Sequence, residues 1–233
     1  MQTTTYVGTE LDVFAEAHNW KRYLRDLASP FLKGDVLEVG GGIGETTSAF
    51  RSGAQASWTA LEPDSQLAGR LQRRVSELQW KIRVVAGTLA AVQTGPLFDC
   101  LIYIDVLEHI EGDRDELRDA AARLKPGGTI VVLSPAHQAL FTPFDAAVGH
   151  FRRYSRRMLQ SLTPPDTTLI RLVYVDAVGL TLSIGNRLLL RSASPTIQQV
   201  RFWDRYCIPA ARRVDPLLGG RVGKSVFAVW RRD

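Results

Sequence analysis

Residues 35–64 read DVLEVGGGIGETTSAFRSGAQASWTALEPD, and this stretch decides the fold. Asp35–Val39 forms a short strand, Gly40-Gly41-Gly42-Ile43-Gly44 a turn, and Glu45–Arg51 a helix. Trp58–Leu61 forms a second strand that closes on Glu62-Pro63-Asp64. Glycines let a backbone turn sharply and come close to a ligand. The helix that follows offers free N–H groups at its start. A glycine loop alone fits either a nucleotide ligand or a plain tight turn. Glu62 raises its value, because it ends the next strand, 18 residues after Gly44 and 22 after Gly40. A carboxylate at that place accepts both hydrogens of a ribose diol. The pair therefore predicts an adenosine-like ligand.

The same alternation runs outward in both directions. Upstream, apolar groups at Phe14, Trp20, Tyr23, Leu24 and Leu27 predict a helix over Asp12–Ala28. Downstream come a helix over Ser65–Glu77, strands at Ile82–Val85 and Phe98–Ile104, a helix over Asp113–Arg123, a turn at Lys125–Gly128 and a strand at Thr129–Leu133. Strands alternating with helices predict βαβ units on a parallel sheet. Beyond Ser134 the rhythm stops. Residues 134–151 read as a long loop over the site, Ser155–Leu162 as a short helix capped by Ser155, and Leu169–Val175 as a strand. Leu180–Leu190 is apolar apart from Asn186 and Arg187. Gln198–Ile208 reads as a helix and Ser225–Trp230 as a closing strand. The expected organisation is one domain over 1–233. Within it lie an N-terminal helix over the site (12–30), a cofactor-binding core (35–133), a lid (134–168), a substrate cap (176–210) and a final strand (224–231).

Composition narrows the class. With 233 residues and 45% hydrophobic content the chain can bury a core, which excludes global disorder. Two cysteines, Cys100 and Cys207, make no disulfide scaffold and match no metal-ligand spacing, so no metal is expected. No run approaches the roughly 18 apolar residues of a membrane span, and Met1–Glu10 lacks the apolar core of a signal peptide. The expectation is a cytoplasmic protein, monomeric or homodimeric. Charge is uneven: residues 1–149 carry 14 basic and 19 acidic groups, residues 150–233 carry 15 and 5. A basic half suits nucleic acid, an anionic membrane surface, an acidic small ligand or a solvated face.

Two ligands fit the glycine loop. The dinucleotide pattern G-x-G-x-x-G fails, because Gly40 and Gly42 are not followed by a glycine at the third place. The spacing acidic-x-Gly-x-Gly-x-Gly fits Glu38, Gly40, Gly42 and Gly44 completely. Glu38 then organises the loop and faces the ammonium of an amino-acid ligand through a water. That selects S-adenosylmethionine over a nicotinamide or flavin dinucleotide.

Taken in order, VLEVGGGIGETT, ALEPD, FDCLIYIDVLEHI and LKPGGTIVVLSPAH resemble the class I S-adenosylmethionine-dependent methyltransferases. The likeness continues through GHFRRYSRRML to GKSVFAVW, over residues 16–231. It implies an α/β, Rossmann-like three-layer sandwich, with a seven-stranded, mostly parallel sheet, the last strand antiparallel, and a helical cap. It also implies that Gly40, Gly42 and Gly44 lie near the methionyl part of the cofactor and that Glu62 holds the ribose, with Pro63 and Asp64 beside it. Thr88 and Leu89 then occupy the adenine edge, where many relatives have Asp. Asp105 and Val106 follow the fourth strand near the methionyl end, although Asp105 equally suits a simple cap.

The cofactor carries its own leaving group, so the protein must orient an acceptor and, for a hydroxyl, accept a proton. His150 in the loop after the fifth strand is the first candidate, as base, as substrate-orienting group or as structural pin. His137 is the second. Asp145 either orients His150 or binds substrate. Arg153 and Tyr154 either hold an acidic acceptor or tie the lid down. Trp20 is expected to face the acceptor. Glu108 and His109 are adjacent and would point apart on a helix, which argues against a metal site there. The expected function is methyl transfer to an oxygen or nitrogen of a small molecule such as a sugar, polyketide or phenol, yielding S-adenosylhomocysteine. The alternatives are an RNA or protein methyltransferase that uses the basic half, and a non-enzymatic binder. Ser134-Pro135-Ala136-His137 lacks the Asn/Asp-Pro-Pro-aromatic signature of many adenine or glutamine N-methylating relatives.

Overall fold

A computed structural model describes residues 10–78, 81–95, 97–185 and 195–233. Seven strands form one sheet: β1 Gly34–Val39, β2 Gln55–Glu62, β3 Arg83–Ala86, β4 Phe98–Ile104, β5 Leu124–Pro135, β6 Thr167–Val175 and β7 Ser225–Arg232. Their order is β3-β2-β1-β4-β5-β7-β6. Strands β1 to β5 pair in parallel, and β7 runs antiparallel to both β5 and β6. Expected architecture and observed architecture agree. The helices are α1 Glu10–Phe14, α2 His18–Ala28, α3 Glu45–Phe50, α4 Ser65–Glu77, α5 Asp113–Ala121, α6 Pro143–Ala147, α7 Arg156–Ser161, α8 Ala177–Gly185, α9 Ile197–Phe202 and α10 Ile208–Leu217.

Apolar residues on successive positions of β4 explain the layering. Leu101 and Tyr103 face one side, Cys100 and Ile102 the other, and all four are buried. Each face is covered by helices, so the strand reads as a continuous hydrophobic run. One core gathers Leu24, Phe50, Trp58, Phe227 and Ile208; the other gathers Leu117, Tyr154, Leu159 and Trp230. Burying each such side chain contributes about 1.5–3 kcal/mol.

Four expected elements differ, the first being the loop over 134–151, which carries the helix α6. Asp12–Ala28 is two helices, because α2 begins where Asn19 and Trp20 donate their N–H groups to the Asp204 carboxylate at 3.0 and 2.8 Å. Lys125–Gly128 belongs to β5 instead of forming a turn. Gly127 adopts φ 76°, the register with β4 shifts there, and Lys125 Nζ holds Asp35 and Asp99 at 2.7 and 2.8 Å. The helix expected to end near Ile208 continues: α9 passes through a π-turn at Trp203–Cys207 into α10. Residues 186–194, which hold part of the expected apolar run, lie outside the described residues. No helix among the described residues is long and apolar enough to cross a membrane.

The uneven charge has a structural outlet. Basic side chains of the second half pair with acidic ones of the first: Arg201 with Glu16, Arg212 with Asp26, Arg152 with Asp113 and Arg153 with Asp145. Among the described residues, four basic side chains of that half are thus paired within the fold.

Candidate active site

The glycine loop leaves the carboxyl end of β1 and enters α3. Gly40 has φ 74°, and a Cβ there would stand 2.5 Å from Val106 Cγ2, so both conformation and space require glycine. Glu62 reaches across from β2: its Oε2 accepts the Gly42 N–H at 2.8 Å and its Oε1 the Asp64 N–H at 3.0 Å. Burial pushes its carboxyl above the ordinary range. Asp64 in turn caps α4, accepting from Gln66 and Leu67 N–H at 2.7 and 3.0 Å. Glu38 is buried, and its Oε2 accepts from Thr47 Oγ1 at 2.6 Å and Trp58 Nε1 at 2.9 Å. Its Oε1 is buried with no partner. Burial pushes the Glu38 carboxyl up to about 7.

A cleft of about 1420 Å³ opens beside this loop. Gly40, Gly42 and Asp105 line one end; Trp20, Phe141, Phe144 and Trp203 supply flat apolar wall; Glu108, His109, His150, Arg153 and Lys224 supply charge and polarity. Asp105 holds φ 54°, which turns the chain out of β4 toward the cleft.

The segment after β5 is organised by one carboxylate. Asp145, in α6, accepts from Thr142 N–H at 2.8 Å, His150 Nδ1 at 3.0 Å, and Arg153 Nε and Nη2 at 2.8 and 2.9 Å. Burial opposes its ionisation, but the His150 and Arg153 hydrogen bonds hold it well below the usual carboxylate range. An ionised carboxylate only accepts, so His150 Nδ1 carries a hydrogen and donates it, and Nε2 faces the other way. That Nε2 lies 4.0 Å from Glu108 Oε1, and the ring meets His109 edge-on at 4.5 Å between centroids. Burial, then His150, pushes the His109 imidazole down to about 4. Glu108 is fully buried and neither of its side-chain oxygens has a hydrogen-bond partner.

Trp20, Gly40, Gly42, Asp105, Asp145, His150 and Arg153 all border the cleft. Glu38, Gly44, Glu62, Pro63, Thr88, Leu89 and Val106 sit at the strand ends or behind the loop, outside the cleft wall. Two expected residues are corrected. Tyr154 is fully buried, donates to Asp113 Oδ2 at 2.8 Å and does not line the cleft. His137 turns away from the cleft: its Nε2 donates to the Gly223 carbonyl at 2.9 Å, and its ring packs on Tyr174. Glu108 and His109 were discounted on helical geometry. A 3-10 turn over Leu107–His109 brings both toward His150 instead, with one ligand atom from each residue within 4.8 Å of the others. Lys224 was not anticipated; its ammonium lies over the Trp203 ring at 4.8 Å.

Comparison with known proteins now bears on this geometry. Residues 13–168 match a family described as a methyltransferase domain. The chain belongs to that family, and its fold is the class I, S-adenosylmethionine-dependent one. A demethylmenaquinone methyltransferase of Tropheryma whipplei is 30% identical over 155 residues, 65% of this chain and 60% of that protein. A ubiquinone biosynthesis O-methyltransferase of Xanthomonas campestris is 38% identical over 97 residues, 41% of this chain and 40% of that protein. The matched part thus spans less than two thirds of these family members. A geranyl diphosphate methyltransferase solved in complex with S-adenosylmethionine superposes with TM-score 0.67 at 14% identity, over 97% of this chain and 91% of that one. The family cofactor suits the residues present. The bare backbone at Gly40 and Gly42 lets a ligand come close in the cleft, and two carboxylates stand behind that loop, Glu38 with Oε1 unpartnered and Glu62 bonded to the Gly42 N–H. Both Glu62 oxygens keep lone-pair capacity beyond their backbone bonds.

Proposed function

We propose that the protein transfers a methyl group from S-adenosylmethionine to a hydroxyl of a small, largely apolar aromatic acceptor, of the quinone or phenol kind. The bound cofactor supplies an electrophilic sulfonium methyl. Glu38 faces its ammonium through a water, Gly40 and Gly42 lie along its methionyl part, and Glu62 holds its ribose, with Pro63, Thr88 and Leu89 toward the adenine. Asp105 and Val106 bound the methionyl end. The single observation that carries the proposal is that one cleft is lined by Gly40, Gly42 and Asp105, by the aromatic side chains of Trp20, Phe141, Phe144 and Trp203, and by His150. An acceptor ring lying on Trp20 and Phe144 places its hydroxyl at the Glu108–His109–His150 wall. Activation of the hydroxyl is assigned to that wall, with Asp145 and Arg153 as positioning residues. The relatives named for quinone methylation support the acceptor class. The lid is proposed over 134–168 and the acceptor cap over 176–210.

The basic half, on which the RNA and protein alternatives rest, has four of its arginines, Arg152, Arg153, Arg201 and Arg212, engaged by the fold's own carboxylates. The test is S-adenosylhomocysteine release over a panel of phenols and hydroxyquinones. His150→Ala and His150→Gln should lower turnover by about 100-fold or more while S-adenosylhomocysteine affinity holds. Unchanged turnover in both variants removes His150 from the chemistry.

A further inference from the structure

Buried polar groups in folded proteins are almost always hydrogen-bonded, so an exception asks for a ligand. Glu108 is such an exception: fully buried, at the cleft wall, both carboxyl oxygens unpartnered. The Ser134 hydroxyl lies beside it without the geometry of a hydrogen bond, and is itself unpartnered. Two imidazoles complete the cluster. In His150, one ring nitrogen is already engaged away from Glu108. His150 Nδ1 donates to Asp145 at 3.0 Å, and His109 is hydrogen-bonded to the Gly149 backbone. With Nδ1 so engaged, His150 Nε2 lies 4.0 Å from Glu108 Oε1. A carboxylate behind an imidazole whose other nitrogen faces a second carboxylate is the arrangement that orients metal-binding histidines.

We propose that Glu108, His109 and His150 bind a divalent transition-metal cation whose remaining position faces the cleft. One ligand atom from each lies within 4.8 Å of the others. Bonds of about 2.0–2.2 Å to a common ion would bring them to about 3.4 Å apart. Side-chain rotation at a cleft wall supplies that closure. Two nitrogens and one carboxylate select zinc, manganese, iron or cobalt over magnesium, which prefers an all-oxygen, water-rich shell. The open position takes the acceptor's oxygen; this part rests on the methyl-transfer proposal above, whereas the cation site does not. The coordinated hydroxyl releases its proton to solvent. Its oxygen then bonds to the methyl carbon as the carbon–sulfur bond breaks, and that bond's electron pair stays on sulfur as a neutral thioether.

The test uses the full chain after chelator treatment, with Co²⁺ as the probe and its visible absorption as the readout. One equivalent should bind, be displaced by Zn²⁺ and be untouched by Mg²⁺. Glu108→Gln and His150→Gln should weaken Co²⁺ binding at least tenfold yet retain S-adenosylhomocysteine affinity, and His18→Ala, at an exposed histidine outside the cleft, should change nothing. Zn²⁺ should raise the Tm of the unaltered protein and not that of Glu108→Gln. A missing saturable Co²⁺ signal, an equal signal in both Gln variants, or loss of the signal in His18→Ala overturns the site. Failure of the unaltered chain to bind S-adenosylhomocysteine strikes the methyltransferase proposal instead, and leaves the cobalt result to stand or fall separately.

Discussion

The two ends of the cleft are built on opposite principles. At the glycine end, shape comes from backbone, and the polar side chains are mostly satisfied by it. Glu62 accepts from Gly42 and Asp64, Asp64 accepts from Gln66 and Leu67, and among the described residues there only Glu38 has a buried oxygen, Oε1, without a partner. At the lid end, shape comes from side chains: one carboxylate, Asp145, gathers Thr142, His150 and Arg153, and beside it Glu108 has both oxygens unmatched. A recess already satisfied suits a constant ligand that adds a few directed contacts. A recess with unmatched buried polar atoms gets its missing partners from what binds there. The difference teaches where variation should be tolerated: neither in the loop glycines nor in the Asp145 hub, but in the aromatic wall between them.

The largest effect is expected at the hub. Arg153→Ala leaves Asp145, 1% exposed, without its two-pronged cation. Removing one partner of a buried pair costs about 3 kcal/mol or more, because the remaining charge is uncompensated. Urea unfolding should show it as a lower midpoint. A loss under about 1 kcal/mol would mean that Thr142 and His150 suffice, and the lid end would then be less dependent on this one charge than the geometry indicates.

Next comes Glu38, where the glycine end carries its own unmatched atom. Its carboxyl sits at about 7 in the fold against an ordinary 4.5. Below pH 4.5 the group is protonated in both states and contributes nothing. As pH rises from there the unfolded chain ionises first, so stability falls through the interval and levels off above about 7. The full cost is on the order of 3 kcal/mol. Glu38→Gln removes it, so the variant should gain on the unaltered protein across that interval, read by denaturant midpoints at several pH values. S-adenosylhomocysteine, whose ammonium favours the ionised form, should flatten the difference. A difference that is constant with pH would show that Glu38 ionises freely.

What the sequence revealed and what it hid follow from the range of the forces involved. The glycine end was legible because its logic is local: Gly40 to Gly44, Glu62 and the Asp64-led helix Ser65–Glu77 fall within one βαβ unit, and the helix bounds agree with the structure. The lid end was half legible. Asp145 was expected as a partner of His150, five residues away, and the geometry brings them to 3.0 Å. The cluster with Glu108 and His109 was missed because it depends on a 3-10 turn in place of a helix and on a loop some forty residues later. Helix starts were hidden for the same reason. The break before α2 depends on Asp204, 184 residues from Trp20, and the start of α8 on Asp215, which accepts from Asp176 and Ala177 N–H. No local propensity carries such information.

Glu62→Ala tests the glycine end alone. It removes the diol acceptor and frees the Gly42 N–H, and hydrogen bonds to a charged group are worth about 1.5–3 kcal/mol. S-adenosylhomocysteine affinity should fall about 10- to 100-fold by calorimetry, with cobalt binding at the lid end unchanged. Equal affinity would defeat the ribose assignment.

The smallest effect is expected where α1 crosses the loop. Leu11 packs over Gly42, 3.9 Å from where a Cβ would stand, and Asp12 pairs with Arg70 of α4. Both ion-pair partners are substantially exposed, 61% for Asp12 and 41% for Arg70. Solvent screening limits such a pair to about 0–1 kcal/mol, less at high salt. Asp12→Ala should therefore shift S-adenosylhomocysteine affinity by less than about fivefold, and added salt should erase the difference. A larger, salt-resistant loss would mean that α1 is held over the glycine loop chiefly through Asp12. It would also mean that this end of the cleft depends on a side-chain anchor, as the lid end does on Asp145.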